Sequence, residues 1–418
     1  MSDDLAESTV VVILDQKDEE VVGFDFVSLP EANKVSGIWN LEPGAHFMYI
    51  KTKEEEERRL GEFIYLKKGE IRVYRRSEAN EGPLFKQVEE YSNQTYKESI
   101  IMGHLKNKMS KIPQNLSQLW SNITDCINSE LIVKLRPINK VIKSQTVGQQ
   151  IFEQCGSEMD KRNKKDIRNA TIRVELSDTE DDESKTLEEY KQIANNLRGF
   201  RKTIDFEELK EKQESVSPKR NFQMDESVEE DYNPICYSDI PARDSRINRF
   251  KEITPEMLTS MHMDTSYVLE SVSENYEANR DGYKAQEFKN KYMYVLGELQ
   301  YSFILFLLCF NFESLEHYKK LLRAFCNAES TIIKNQELVL RFLNTLKYHV
   351  EIWDEEHDVY QKDDFLTHSL GSLREIIVDN EKDLEYCRNE YKQLDNSFKL
   401  KFGISLDDLD AINNNYVQ

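Results

Sequence analysis

The densest group of side chains able to hold a metal or move a proton is "YHVEIWDEEHD", from Tyr348 to Asp358. His349 and His357, with Glu356 and Asp358, offer imidazole and carboxylate donors within one short stretch. Their spacing matches no helical ligand pair, and acids crowded at a helix end form a solvated face more often than a metal site. No metal is therefore expected there. His317, in "LEHYKK", borders a very apolar run and reads as a packing or hydrogen-bonding residue. There is no GxxxxGK or GxGxxG phosphate loop, no GxSxG elbow and no HExxH pair. The seven histidines form no nucleophile triad at the level of sequence. These patterns assign no catalytic residue, cofactor or metal.

A second kind of chemistry is covalent modification. Ser217 begins "SPKR", the pattern of proline-directed phosphorylation followed by basic residues. Ser177 and Thr179 stand just before acids, as acidophilic kinases prefer. A phosphate at any of the three adds about −1.5 to −2 charge. On a chain that is already acidic, the expected effect is release of a bound partner.

The elements that must carry these residues come in three blocks. "TVVVIL" and "VVGFDFVSL" are β-branched and aromatic runs, "HFMYI" follows the turn signal Pro43-Gly44, and "EFIYLKKGEIRVYRR" alternates around Lys68-Gly69 as a hairpin would. A sandwich-like antiparallel β domain over residues 8–140 follows. It closes with one helix in "PQNLSQLWSNITDCINSELIVKL", stopped by Pro137. Residues 141–233 lose periodicity, and seven acids face one lysine between Ser177 and Glu189. Such composition cannot bury enough apolar surface to offset ordering entropy, so a long acidic, largely disordered linker is expected.

Residues 234–405 read as helices, with 406–418 as a tail. Thr254 and Pro255 open one helix whose stripe is Leu258, Met261, Val268, Val272 and Tyr276. "TIIKNQELVLRFLNTLKYHVEIW" gives another, and Leu384, Cys387, Tyr391, Leu394, Phe398 and Phe402 step by threes and fours. Between them lies "GELQYSFILFLLCFNFESLEHYKKLL", apolar for 14 residues from Leu299 to Phe312. A bilayer span needs about 20. The run is better explained as the central helix of a bundle, apolar all round because helices surround it. Leu299, Phe303, Leu305, Leu308, Leu315 and Leu322 are the expected core. The class is thus α+β.

Charge narrows function. With 77 acidic and 56 basic residues the chain carries −21. Nonspecific binding to phosphate backbones is disfavoured, although a local basic patch is compatible with that total. Six scattered cysteines without a CxxC pair suit a reducing compartment. The acidic N-terminus has neither a basic nor an apolar leader region, so the sequons at Asn93, Asn115, Asn122 and Asn169 carry no weight.

Several ordered motifs resemble one family, the A-one-cistron splicing factor (AAR-two) family. They are Gly23-Phe24-Asp25, Gly37-Ile38 and Pro43-Gly44-Ala45-His46-Phe47, then "LWSNITDCI", "ICYSDIP" (Ile235 to Pro241), "TPEMLTSMHMDTSYVLE", "GELQYSFILFLL…ESLEHYKKLLRAFCNAE" and "QKDDFLTHSL". Cys309 and Tyr318 depart from the glycine and tryptophan more usual in that family. The resemblance implies a non-catalytic assembly factor that binds the large central scaffold protein of the spliceosome (Prp-eight) while the U5 small nuclear ribonucleoprotein matures. It would precede a helicase on that scaffold and support splicing of pre-messenger RNA. Nuclear and cytoplasmic residence, a free monomer, and no direct contact with nucleic acid or membrane are the accompanying expectations. The alternatives are a peptide-binding adaptor in trafficking and a hydrolase with an unrecognised site. The surface that meets the partner is not readable.

Overall fold

The computed structural model describes residues 8–29, 34–52, 59–77, 83–144, 234–241, 263–277, 288–352 and 365–408. Ser177, Thr179, Ser217, Thr254, Pro255, Glu356, His357 and Asp358 lie outside them.

The first strand, β1 (Thr9–Leu14), shows why its six residues are all apolar or β-branched. Val11 and Ile13 enter the main core, while Val10, Val12 and Leu14 enter a smaller core with Trp39, Ile71, Val73, Ile100 and Met109. A strand covered on both faces cannot alternate with polar residues. After it come β2 (Glu20–Phe24), β3 (Val27–Ser28), β4 (Val35–Leu41), β5 (Gly44–Thr52), β6 (Arg59–Leu66), β7 (Ile71–Arg76) and β8 (Phe85–Gln87). Helix α1 (Glu90–Ile101), β9 (Met109–Lys111), α2 (Gln114–Thr124), α3 (Ser129–Leu135) and β10 (Ile142–Lys143) complete this half.

Two five-stranded sheets result, ordered β8-β7-β1-β4-β9 and β10-β6-β5-β2-β3. The sandwich is as expected, but the first sheet is mixed: β1 pairs with β7, and β4 with β9, in parallel. The expected hairpin is also absent. β6 and β7 belong to different sheets, so the Lys67–Glu70 turn carries the chain across the sandwich. Thr9 holds that turn, its hydroxyl accepting from Gly69 N at 3.0 Å, while Val10 N donates to Glu70 O at 2.9 Å. Gly69 adopts φ 69°, the left-handed region that suits glycine.

Helix α1 has no counterpart among the elements expected from the sequence. It covers the outer face of the first sheet through Ile100. The single helix expected after Pro113 is two helices. Asn128 breaks it by accepting from Leu131 N at 2.8 Å as the N-cap of α3. β10 pairs with β6, so the sheet runs past residue 140 into the first residues of the expected linker.

The helical half comprises α4 (Ser266–Glu277), α5 (Tyr292–Cys309), α6 (Phe312–Cys326), α7 (Glu329–Lys334), α8 (Gln336–Ile352), α9 (Phe365–Asp379) and α10 (Arg388–Phe402). α4 starts after Asp264, which accepts from Ser266 N at 2.9 Å, so the helix expected from Thr254 is interrupted there. A break at Asn335 likewise divides α7 from α8. Leu406 is buried and its N–H reaches Asp395 at 2.7 Å, so the start of the expected tail is part of the body.

α5 is the axis of the molecule. Met293 through Cys309 are all buried. Phe63 of the second sheet stacks on Tyr301 at 4.4 Å, and α6 and α8 pack on other sides. The helix is long and apolar enough to cross a membrane, yet it lies inside the protein. Leu299, Phe303, Leu305, Leu308, Leu315 and Leu322 are all buried. One hydrophobic core therefore runs from the second sheet through α2 and α3 into the helices, and the two halves are not separated by a gap.

Candidate functional site

Polar side chains inside that shared core concentrate along the seam between sheets and helices. At its centre is Glu298, fully buried on α5. It accepts from Ser238 N at 2.7 Å and from the Tyr276 hydroxyl, and lies 2.9 Å from His317 Nε2. Burial pushes its carboxyl up, but His317 and the donors of Tyr276 and Ser238 outweigh this and hold it below the usual carboxylate range. The same burial and the adjacent carboxylate push the Tyr276 hydroxyl well up. Lys134 places its ammonium 3.2 Å from the Tyr276 ring centroid and donates to Asn275 O. Burial draws its pKa down to about 8.

Around Glu298 the segment Ile235–Pro241 is fastened at several points. Cys236 N donates to Leu135 O at 2.9 Å, the Tyr237 ring stacks on His317 at 4.0 Å, and its hydroxyl reaches Ser314 Oγ at 2.7 Å. Asn311 caps α6, accepting from Ser314 N and Oγ, and its amide donates to Lys143 O at 3.0 Å. Lys143 and Tyr237 therefore meet the same first turn of α6.

The C-terminal end of α5 is held by Arg59, which is 1% exposed. Its guanidinium donates to Leu308 O at 2.7 Å and lies over the rings of Tyr49 and Phe310. A cation at this end meets unpaired carbonyls and the negative end of the helix dipole. Cys309 lies within 3.7 Å of the carbonyls of Arg59 and Ile142, and burial pushes its thiol up to about 12, an inert thiol. In the middle of α5, Gln300 receives Cys126 N and donates to Asp125 and Thr345, tying the α2–α3 corner to α8.

A second buried pair lies in the sandwich. His46 Nδ1 is 2.7 Å from Asp25 Oδ2, while Nε2 meets Glu42 O and Asp25 Oδ1 accepts from Phe47 N. Trp120 Nε1 donates to Ala45 O at 2.7 Å, and its ring stacks on His46. Burial raises the Asp25 carboxyl despite His46, and Asp25 raises His46 despite burial. Asp25, His46, Glu298 and His349 are all within 2% of full burial. What these groups can do is hold elements together, because none is open to a substrate.

His349 is likewise internal. Its ring stacks on Phe303 at 3.8 Å, its Nδ1 is 3.1 Å from the Tyr318 hydroxyl, and burial draws its pKa down to about 3. Among the described residues no three His, Cys, Asp or Glu side chains are grouped to hold a metal. Sequence reading missed Glu298, Arg59 and Gln300. One signal was present: a carboxylate and an amide in the interior of an otherwise apolar helix require internal partners.

A sandwich joined through such a seam to a helical bundle defines a two-part α+β architecture with one core. Both parts correspond to described families: residues 7–137 match the AAR2 N-terminal domain and residues 237–407 the AAR2 C-terminal repeat region. The chain belongs to the AAR2 family. It is 25% identical over 385 residues to "Protein AAR2 homolog" of Homo sapiens, covering 89% of this chain and 85% of that protein. It is 22% identical over 386 residues to the protein of the same name from Caenorhabditis elegans, covering 91% and 90%.

Proposed function

We propose that the chain is a non-catalytic assembly factor that binds the large central scaffold protein of the spliceosome (Prp-eight) during maturation of the U5 small nuclear ribonucleoprotein, in support of pre-messenger RNA splicing. The observation that carries this is the match of both AAR2 domains, in order, over residues 7–137 and 237–407. The interior supports it. The acid–base pairs described above are enclosed and bonded to one another. The chain as a whole carries −21, suited to covering basic protein surfaces that later hold RNA. On this reading the protein works as a free monomer in cytoplasm and nucleus and contacts neither nucleic acid nor membrane directly. Capture from nuclear extract with the tagged full chain, followed by binding to the purified scaffold protein, tests it. Splicing proteins among the captured species and a stable binary complex are expected. Coat or cargo proteins instead would favour an adaptor, and absence of the binary complex would overturn the reading.

A further inference from the structure

In a chain this acidic, the stretch from the end of α1 through α2 has no carboxylate. From Ser99 to Thr124 it carries Lys106, Lys108 and Lys111 and neither Asp nor Glu. The turn that presents the lysines is fixed. His104 N donates to Ser99 O at 3.0 Å, Lys106 N to Gly103 O and Lys108 N to Leu105 O. Leu105 packs on the small core, Met109 is part of it, and β9 pairs with β4. Lys106 Nζ lies 5.9 Å and Lys111 Nζ 5.2 Å from the centroid of the Trp39 ring, so both ammoniums stand around one indole. Neither of them, nor Lys108, meets a carboxylate among the described residues. Just before them in the chain, Met102 is 67% and Ile101 41% exposed.

The acids of the surrounding elements are engaged or lie to one side. β4 has none from Val35 to Leu41 and β1 none from Thr9 to Leu14. Asp15 pairs with Arg75, Glu70 with Arg72, and Glu98 accepts from the Gln94 amide. The exposed Asp18 and Glu19 follow the Leu14 end of β1, whereas Trp39 is paired with Val10 at the other end. Asp3, Asp4, Glu7 and Glu31 lie outside the described residues. We propose that this surface binds an acidic, aliphatic segment of a partner protein. Its carboxylates meet Lys106 and Lys111 around Trp39, with Lys108 beside them, and its aliphatic side chains cover Met102 and Ile101.

The geometry favours a peptide over a nucleic acid. Trp39 is only 8% exposed and is overlaid by the two lysines, so it offers no face on which a base could stack. A phosphate polymer running past the patch would meet a chain of −21, and it gains nothing from exposed methionine and isoleucine. A short carboxylate segment stays within the patch, where charges farther away than about 10 Å are screened at 0.1 M salt. The indole holds both ammoniums in place through its ring without neutralising them. Less side-chain freedom is then lost when carboxylates arrive. This surface is separate from the acidic character invoked for the scaffold, and the inference stands independently of that reading.

The test titrates the full chain into a short fluorescein-labelled peptide of repeated Asp-Glu-Leu units at about 0.1 M salt and reads anisotropy. Saturable binding is expected. It should weaken about fivefold or more in the double variant Lys106→Glu, Lys111→Glu and about threefold in Met102→Asp, where the aliphatic contact is lost. Met102 and Lys111 are exposed, so Met102→Asp and the single variant Lys111→Glu keep the test valid if the double variant lowers the thermal midpoint. Absence of peptide binding overturns the proposal, as does binding that these variants leave unchanged. Polyglutamate binding as tightly as the peptide would remove the aliphatic contact. A single-stranded RNA oligonucleotide that binds more tightly, and loses affinity in the same lysine variants, would overturn the peptide in favour of nucleic acid. Binding that appears only in the variant Asp3→Asn, Asp4→Asn, Glu7→Gln would overturn it too, because the chain's own N-terminal acids would then be the occupant.

Discussion

Leu305 is fully buried near the C-terminal end of α5. Leu305→Asp would strand a charge with no partner, at a cost of several kcal/mol, and the helical half should melt or aggregate. A soluble variant with an unchanged thermal midpoint would contradict the packing described. Gly297, on the same helix, is a finer case. Alanine is the better helix former by about 1 kcal/mol, but a Cβ there would lie 2.1 Å from Cys126 O. Backbone at the α2–α3 corner cannot move aside as a flexible side chain can, so Gly297→Ala should lower stability by about 1–3 kcal/mol, read as a fall in the urea midpoint.

Two buried groups set opposite dependences on pH. His349 is pulled down to about 3 by burial, so the unfolded chain binds the extra proton first. Stability should be lost as pH falls from about 6.5 toward 3, by about 5 kcal/mol at most. Glu62 is raised to about 7 by burial, and the folded chain holds its proton longer. That contribution is complete below about pH 4.5 and is lost as pH rises through 7. Urea midpoints measured across pH 4 to 8 should lose their acid limb in His349→Phe and flatten between about 4.5 and 7 in Glu62→Gln. Unaltered profiles in both variants would show that these groups do not titrate with folding.

At the scale of elements, what was legible followed from composition over a few residues. β1 was readable because a doubly covered strand is apolar throughout, and α5 because it is enclosed by helices. Where the sequence misled, local pattern had two solutions. Alternation around Lys68-Gly69 fits a hairpin and also a crossing between sheets. The choice is made by Thr9, some 60 positions away, through its bond to Gly69 N. The breaks at Asn128, Asp264 and Asn335 interrupt runs whose apolar spacing continues across them, and only the capping bonds show that the helix stops. α1 has little amphipathic pattern to find, since among its described side chains only Ile100 is buried in the small core, with Tyr96 packed against it. The seam was illegible for a related reason: Arg59 and Leu308 meet across most of the chain.

The seam predicts how the elements behave when the chain is cut. Asn311 on Lys143, Arg59 on Leu308, Gln300 on Cys126, Tyr294 on Glu130 and Cys236 N on Leu135 O join the halves without using residues 145–233, and the hydrophobic core is continuous across the join. A single protease nick within 145–233 should leave the fragments together through gel filtration, separating only in denaturant. Their spontaneous separation would mean that the covalent link is what maintains the seam. With Arg59→Ala the buried Leu308 carbonyl loses its donor, and loss of such a partner costs about 1–3 kcal/mol. The nicked variant should come apart at lower denaturant than the nicked wild type.

At the scale of the whole molecule the governing quantity is charge. With −21 over the chain, an encounter with a basic scaffold, as proposed above, would be steered by attraction that is sensitive to ionic strength. Scaffold affinity should therefore fall with added salt, mainly through a slower association rate. Residues 145–233 enter this balance through their own acids. Glutamate at Ser177, Thr179 and Ser217 together adds negative charge to a segment that is already strongly acidic. By repulsion from the acidic surface of its own chain, that charge should disturb the bound arrangement more than it adds attraction. The triple variant should bind the purified scaffold more weakly than wild type at low salt, and the gap should narrow as salt rises. Tighter binding at low salt would reverse the sign and make these residues part of the attractive surface. Identical affinities at both salt concentrations would remove them from the interaction.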